Sequence, residues 1–218
     1  MESRFEGIRK LWAIIDKLRG ENGCPWDKKQ TPETVKTYVI EEAHEVDAAI
    51  RSGQPDEIME ELGDLLFMVL FMIHLYEEGG FFSLEKVCKT IEDKMIRRHP
   101  HVFGNVHVNS ADEVKDNWDR IKKEEKKTVR GSVPRTLPAL VRAYRLLSRN
   151  LISPPVTENE EGIVSILEKD FNSLVNCSRE DFSDYFADFI IDLCQFARLK
   201  GFRPEDLLQK RLDEREIG

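Results

Sequence analysis

Two pairs of acidic side chains, on two neighbouring segments with a helical pattern, have the clearest capacity for chemistry in this sequence. Glu42 and Glu45 belong to the first segment, and Glu61 and Asp64 belong to the second. Residues three apart on a helix share one face, so each pair presents its carboxylates to the same side. Four carboxylates in the seam between two helices repel one another, and a divalent cation removes that conflict. An all-oxygen set of ligands without cysteine suits Mg²⁺ or Mn²⁺.

The alternative is that these acids are ordinary surface residues of acidic helices. Against it, Glu61 and Asp64 directly precede the most apolar run of the chain, residues 65–70. Gly63 lies between them, and a glycine inside a helix costs about 1 kcal/mol relative to alanine. We interpret Gly63 as a position of close approach. The sequence therefore favours a metal site over a solvated acidic face.

A basic cluster at the end of a later helical segment is the candidate phosphate-binding group. Lys94, Arg97 and Arg98 fall at i, i+3 and i+4 and share one face. The helix dipole also favours cations at a helix C-terminus, which is the ordinary explanation for such a cluster. The functional interpretation is a clamp on a polyphosphate, since a metal held by carboxylates needs anionic ligands and basic partners. Trp26 and Trp118 are candidates for stacking on a base, although packing explains each of them equally well.

Helical periodicity dominates the chain, and we find no convincing pair of strands, so the sequence predicts an all-α fold. The predicted helices span about residues 3–18, 32–51, 55–79, 83–100, a segment beginning at 110, 139–151 and a segment ending near 201. Thr31 as N-cap, followed by Pro32, predicts the start of the second helix. Two long helices joined by a brief turn occur at 32–79 and again at about 160–201, which predicts a diverged internal repeat.

The helix predicted over 55–79 indicates self-association, because it carries more apolar residues than the preceding helix alone can cover. These residues are Leu62, Leu65, Leu66, Val69, Leu70 and Ile73. The missing partner is either the repeat in the same chain or a second copy of the same hairpin. We expect the second copy, in a two-fold arrangement, because that is the simplest closed assembly.

Composition and charge argue against several classes of function. The net charge of −8 disfavours a general affinity for nucleic acid or anionic membrane. The longest apolar run is far shorter than the roughly 20 residues that span a bilayer. The four cysteines are scattered, and the charged N-terminus lacks the apolar core of a signal peptide, so we expect reduced thiols. These features predict a cytoplasmic protein that binds neither nucleic acid nor membrane.

The order and spacing of these short motifs resemble the MazG family of nucleoside triphosphate pyrophosphohydrolases. The resemblance covers about residues 8–126. Its motifs are Gly23-Cys24-Pro25-Trp26-Asp27, the E-E-x-x-E set at 41, 42 and 45, the E-x-x-D set at 61 and 64, Asp93-Lys94 with Arg97-Arg98-His99-Pro100-His101-Val102-Phe103, and Trp118 followed by Ile121-Lys122. Each motif is weak alone, and their combination is specific.

The resemblance implies an all-α domain that dimerises into a four-helix bundle. It implies that Mg²⁺ is bound by four acids, Glu42, Glu45, Glu61 and Asp64. It also implies that Lys94, Arg97 and Arg98 contact the triphosphate, and Trp26, Trp118 and Lys122 join them as candidate substrate-binding residues.

The second half departs from the family pattern. Lys169, Asn172 and Tyr185 occupy three of the positions where acids are expected, and the basic cluster is missing. We interpret this half as a catalytically inactive repeat. The predicted organisation is a MazG-like domain over 1–127, a linker with a short helix over 128–158, and a degenerate helical repeat over 159–218.

The predicted reaction is Mg²⁺-dependent hydrolysis of a nucleoside triphosphate to the monophosphate and pyrophosphate, by water attack at the α-phosphorus. Glu41, beyond the four-ligand set, is the candidate for activating the water or binding a second metal ion. Two alternatives stay open. One is a non-catalytic helical protein that senses nucleotides or scaffolds a partner, and the other is a related enzyme with a narrow substrate, such as dUTP or phosphoribosyl-ATP. We expect a homodimer or higher homo-oligomer.

Overall fold

The computed structural model of the 218-residue chain describes residues 2–110, 113–114, 117–118, 120–121, 133–152 and 157–216. Within these ranges every regular element is a helix and no β-strand occurs, which confirms the predicted all-α class. The chain divides into two units, Met1–Glu125 and Lys126–Gly218. Lys122, predicted to bind substrate, lies outside the described residues. None of the described helices is both long and apolar enough to cross a membrane.

The first unit is built from long helices that begin and end close to where the periodicity predicted them. Its elements are α1 (Glu2–Arg19), a 3₁₀ helix (Asp27–Lys29), α2 (Pro32–Ser52), α3 (Pro55–Glu78), α4 (Leu84–Arg98) and the single-turn α5 (Pro100–Phe103). Helices α2 and α3 form a hairpin, and α1 and α4 pack against α3.

Local signals in the sequence explain why the hairpin begins and turns where it does. The Thr31 hydroxyl accepts a hydrogen bond from the amide of Thr34, and the Thr34 hydroxyl accepts one from the Thr31 amide, which caps α2 as predicted. Gly53 ends α2 with a φ of 73°, a left-handed conformation that favours glycine. Pro55 then starts α3 at the first helical position, where its missing amide hydrogen is not needed.

The core of the first unit lies at one end of the hairpin. Its buried residues are Ile15, Val35, Leu70, Phe71 and Leu75. The buried positions of α3 lie between residues 70 and 75, so the first half of this helix contributes little to the core. The acids at 61 and 64 therefore stand on the half of α3 that the chain leaves exposed.

The predicted interface stripe on α3 needs correction at two positions. Leu70 is 4% exposed and Ile73 is also buried, so both belong to the core of the chain itself. Leu62, Leu66 and Val69 are 50%, 40% and 39% exposed in the described structure. Periodicity defined the apolar face correctly, but it does not show that α1 and α2 already cover the second half of that face.

A polar network ties the end of α3 to α1 and to the loop that follows α1. The His74 imidazole is buried, and its Nε2 lies 2.8 Å from Oδ1 of Asp16. The Arg19 guanidinium lies 2.7 Å from the Glu78 carboxylate and 5.5 Å above the Phe71 ring. The same guanidinium donates a hydrogen bond to the backbone carbonyl of Asp27. These contacts fix the loop of residues 20–31, which carries Trp26.

The second unit repeats the hairpin arrangement. Its helices are α6 (Ala139–Leu147), α7 (Glu160–Asn176), α8 (Phe182–Leu199) and α9 (Pro204–Asp213). Helices α7 and α8 form the hairpin, and α6 and α9 pack against α8. Ile163 and Cys194 are buried between them, and the buried Gln195 side chain donates to the backbone carbonyl of Thr157 at 2.6 Å. Two long helices joined by a short turn thus occur in each unit.

Candidate metal and nucleotide site

Three carboxylates of the first unit meet across the seam of the α2–α3 hairpin. Glu42 and Glu45 stand one helical turn apart on α2, and Glu61 faces them from α3. One carboxylate oxygen from each lies within 4.8 Å of the other two. The 3.6-residue period and the short turn at 53–54 produce this juxtaposition. The structure therefore brings together three of the four acids that the sequence singled out as ligands.

The electrostatics of this acidic seam are unfavourable as they stand. The Oε2 atom of Glu42 is buried and has no hydrogen-bond partner among the described residues. Burial, followed by the charges of Glu45 and Asp64, raises the pKa of Glu42 above its ordinary value. The pKa of Glu61 is raised for the same reasons, with desolvation the largest. A buried acceptor without a donor, among acids that repel one another, is the environment that a divalent cation stabilises.

Asp64 and Glu41 relate to this seam in different ways. Asp64 is exposed and lies outside the group of three, but its charge contributes to the raised pKa of both Glu42 and Glu61. Glu41 is also exposed, and it is not among the acids that shift either pKa. Asp64 therefore borders the cluster from α3, whereas Glu41 lies outside the group of three.

Gly63 does not serve the purpose that we predicted. A Cβ atom at this position would meet nothing within 4 Å, so no part of the described chain approaches it closely. The interpretation of Gly63 as a close-approach position is wrong within a single chain. The reason is the exposure of the first half of α3, which the sequence pattern does not reveal.

Trp26 lies beside α2, one helical turn from the acidic seam. Its side chain is exposed, and its ring centroid is 5.9 Å from that of Tyr38. Tyr38 precedes Glu42 by four residues, and residues at this spacing are neighbours on a helix surface. Tyr38 is not among the predicted site residues, although its four-residue spacing from Glu42 is a signal that the sequence contains. Gly23 shapes the loop before Trp26, because a Cβ there would lie 2.1 Å from the carbonyl oxygen of Leu18.

The basic cluster stands at the end of α4, and one of its members contacts the second predicted tryptophan. Lys94 and Arg98 are partly buried, while Arg97 is exposed. The Arg98 guanidinium lies 5.8 Å from the centroid of the Trp118 ring, in cation–π geometry. Arg98 and Trp118, which no spacing rule pairs, thus form one group. No basic side chain in the described ranges is among the causes of the raised pKa values of Glu42 and Glu61.

His99 is a further member of this group that the sequence analysis left without a role. Its ring meets Trp118 edge-on, with centroids 4.9 Å apart and planes at 89°. The contact joins residues 19 positions apart, on either side of an irregular segment. Periodicity carries no signal for a contact of this kind.

Comparison with known proteins identifies the family of this chain. A family model described as the MazG nucleotide pyrophosphohydrolase domain matches residues 30–103, the segment that holds both the acidic seam and the basic cluster. A nucleoside triphosphate pyrophosphohydrolase of Escherichia coli K12 is 35% identical over 217 residues, covering 93% of this chain and 82% of that protein. The chain therefore belongs to the MazG family of nucleotide pyrophosphohydrolases, as its motifs predicted.

Two further relatives show how widely the similarity extends. The nucleoside triphosphate pyrophosphohydrolase/pyrophosphatase MazG of Thermotoga maritima is 34% identical over 208 residues, covering 93% of this chain and 80% of that protein. The uncharacterised protein YabN of Bacillus subtilis is 49% identical over 138 residues. That match covers 62% of this chain and 28% of YabN, so the chain corresponds to about a quarter of that longer protein.

Proposed function

We propose that the chain hydrolyses nucleoside triphosphates to the monophosphate and pyrophosphate, with a divalent cation at the acidic seam. The observation that carries the proposal is the meeting of three carboxylates from two helices, where a buried Glu42 oxygen lacks a donor within the described part of the chain. Family membership supports the reaction class, as do the names of the relatives from E. coli and T. maritima.

The residues present fit such a cation. Glu42, Glu45 and Glu61 would hold it, with Asp64 as the fourth ligand from α3. Their donor atoms are all carboxylate oxygens, which suits Mg²⁺ first and Mn²⁺ as its substitute. When bound, the ion neutralises polyphosphate charge and acidifies a coordinated water.

The remaining residues of the site bind and orient the nucleotide. Lys94 and Arg97 offer charge to the phosphate oxygens, and the planar guanidinium of Arg98 offers paired hydrogen bonds. Trp118, beside Arg98, stacks on the base, while Trp26 and Lys122 complete the binding group. Recognition through phosphates and stacking is tolerant of base identity, because every base has an aromatic face.

The chemical step is an in-line displacement at the α-phosphorus. The oxygen of a water molecule forms a bond to the α-phosphorus, and the bond from that phosphorus to the oxygen bridging to the β-phosphorus breaks. Pyrophosphate leaves with that bridging oxygen and its electron pair. Glu41, exposed next to Glu42, accepts the proton of the attacking water.

Assembly and location complete the proposal. The exposed apolar residues of α3 pair with those of a second copy, which gives a homodimer with a four-helix bundle at its centre. The second unit is an inactive repeat, because no group of three metal-ligating side chains meets among its described residues. We further propose a cytoplasmic location, with all four cysteines as free thiols.

The test is product analysis with the purified full-length chain. A panel of ribonucleoside and deoxyribonucleoside triphosphates is incubated with Mg²⁺, with Mn²⁺ or with EDTA, and the products are separated. Equal amounts of monophosphate and pyrophosphate, formed with metal and not with EDTA, support the proposal. Diphosphate and orthophosphate as products would show that water does not attack the α-phosphorus. Full turnover in EDTA would contradict the proposed metal site.

A further inference from the structure

The His99 imidazole is held in one orientation at the junction of α4 and α5. Its Nδ1–H donates a 2.7 Å hydrogen bond to the backbone carbonyl of Met95, one turn earlier on α4. The following residue, Pro100, begins α5, so the backbone on both sides of His99 is helical. The His101 ring lies 5.6 Å away and packs against it. These contacts fix the orientation of the partly buried His99 ring, so a side chain that packs against the ring is held in place as well.

The indole of Trp118 packs against the His99 ring. The two rings meet edge to face at 4.9 Å, which is a favoured geometry for an aromatic pair. The Arg98 guanidinium contacts the same indole at 5.8 Å. Two consecutive residues, Arg98 at the end of α4 and His99 directly after it, therefore contact this distant tryptophan beside the basic cluster.

We propose that His99 is a positioning residue for nucleotide binding, which holds the Trp118 indole at a fixed place beside Arg98. The inference rests on the proposed function, in which Trp118 contacts the base and Arg98 contacts the phosphates. The distance between base and phosphates is set by the nucleotide itself, so the indole and the guanidinium must match that distance. His99 fixes the match before the substrate arrives, which lowers the entropic cost of binding.

Two substitutions separate the ring contact from the hydrogen bond. His99→Asn keeps an amide donor for the Met95 carbonyl and removes the ring, while His99→Phe keeps a ring and removes the donor. We expect His99→Asn to raise KM about tenfold with kcat nearly unchanged, the size of effect that loss of one stacking contact produces. His99→Phe should restore most of the affinity. His107→Asn, at an exposed histidine, serves as the matched control and should leave both constants unchanged.

Two further measurements distinguish positioning from a general structural role. Inorganic tripolyphosphate lacks a base, so its inhibition constant should be the same for the wild type and His99→Asn. A double-mutant cycle with Trp118→Ala should show that His99→Asn adds nothing once the indole is gone.

The possible failures have different meanings. If Trp118→Ala leaves KM unchanged, the role of Trp118 in the proposed function is wrong. If Trp118→Ala raises KM but His99→Asn does not, or if the two effects add, the positioning role is wrong while the proposed function stands. Equal weakening of tripolyphosphate and nucleotide by His99→Asn would also overturn the positioning role.

Discussion

Asp192 on α8 lies against Asp170 on α7, so that two carboxyl groups meet inside the hairpin of the second unit. Asp192 is 9% exposed. Burial raises its pKa to about 7, and a hydrogen bond to the Asp170 carboxyl and the charges of Asp170 and Asp188 add to the effect. The pair is therefore best accommodated when it shares one proton.

This pair predicts that the second unit loses stability as the pH rises. The pKa of Asp192 is higher in the folded chain, about 7, than its ordinary value of 3.8, so the folded state binds the proton more tightly. Stability should fall between about pH 4 and pH 7 and level off above that range. Hydrogen exchange of α7 and α8 amides at pH 5.5 and pH 8 measures the change in local stability. Thermal unfolding at the same two pH values should show a fall in Tm on the order of 5 °C.

Asp192→Asn should remove this pH dependence, because an amide donates to Asp170 without titrating. Asp184→Asn, at an exposed acid of α8, is the control and should keep the wild-type slope. An unchanged slope in Asp192→Asn would show that another group is responsible.

Loss of one acid from the seam of the first unit should remove activity and relieve repulsion. We expect Glu42→Gln and Glu61→Gln to lower kcat at least about 100-fold, as loss of a metal ligand should. In EDTA, Glu42→Gln should melt at the same temperature as the wild type or higher, because a buried repulsive charge is gone. Glu168→Gln, at an exposed acid of α7, is the matched control and should change neither property. Near-normal turnover in Glu42→Gln would disprove the ligand assignment.

Gly63 offers a test of how α3 is covered in the assembled protein. A Cβ at this position meets no described residue within 4 Å, so Gly63→Ala should stabilise the protein by about 0.5–1 kcal/mol in urea denaturation. Gly53→Ala is the contrasting control, since its φ of 73° should make alanine unfavourable by about 1–2 kcal/mol. If Gly63→Ala instead dissociates the oligomer, a second copy packs against this position.

The exposed stripe of α3 predicts the oligomeric state. Leu66→Glu should convert the proposed homodimer to monomer and reduce activity with it, because a charge would replace an apolar contact between the two hairpins. Ile14→Glu, at an apolar residue of α1 that is exposed to a similar degree, should alter neither. Light scattering at assay concentration measures the state, and a fully active monomeric wild type would contradict the proposed dimer.

Local patterns were sufficient to predict most of the fold and part of the site. The cap at Thr31 and the turn at Gly53 located α2, and the three-residue spacing placed Glu42 and Glu45 on one face. Leu70 was predicted to face a second copy, but it is buried in the core of its own chain. Periodicity identifies an apolar face, but it does not identify the element that covers that face. His99 and Trp118 show the same limit for the site. Their contact depends on how an irregular segment returns to α4, and no local rule encodes that path.

Helix α3 is held at both ends. Its far half is fixed by the packing of Leu70 and Phe71 and by the Arg19–Glu78 ion pair, and its start is tied to α2 by the short turn at 53–54. Glu61 lies between these two supports, nine residues before Leu70 and about 13 Å from it along the axis at 1.5 Å per residue. The distance between the Glu61 carboxylate and the acids of α2 is therefore constrained from both directions along the helix, which limits how far the seam can widen around a cation.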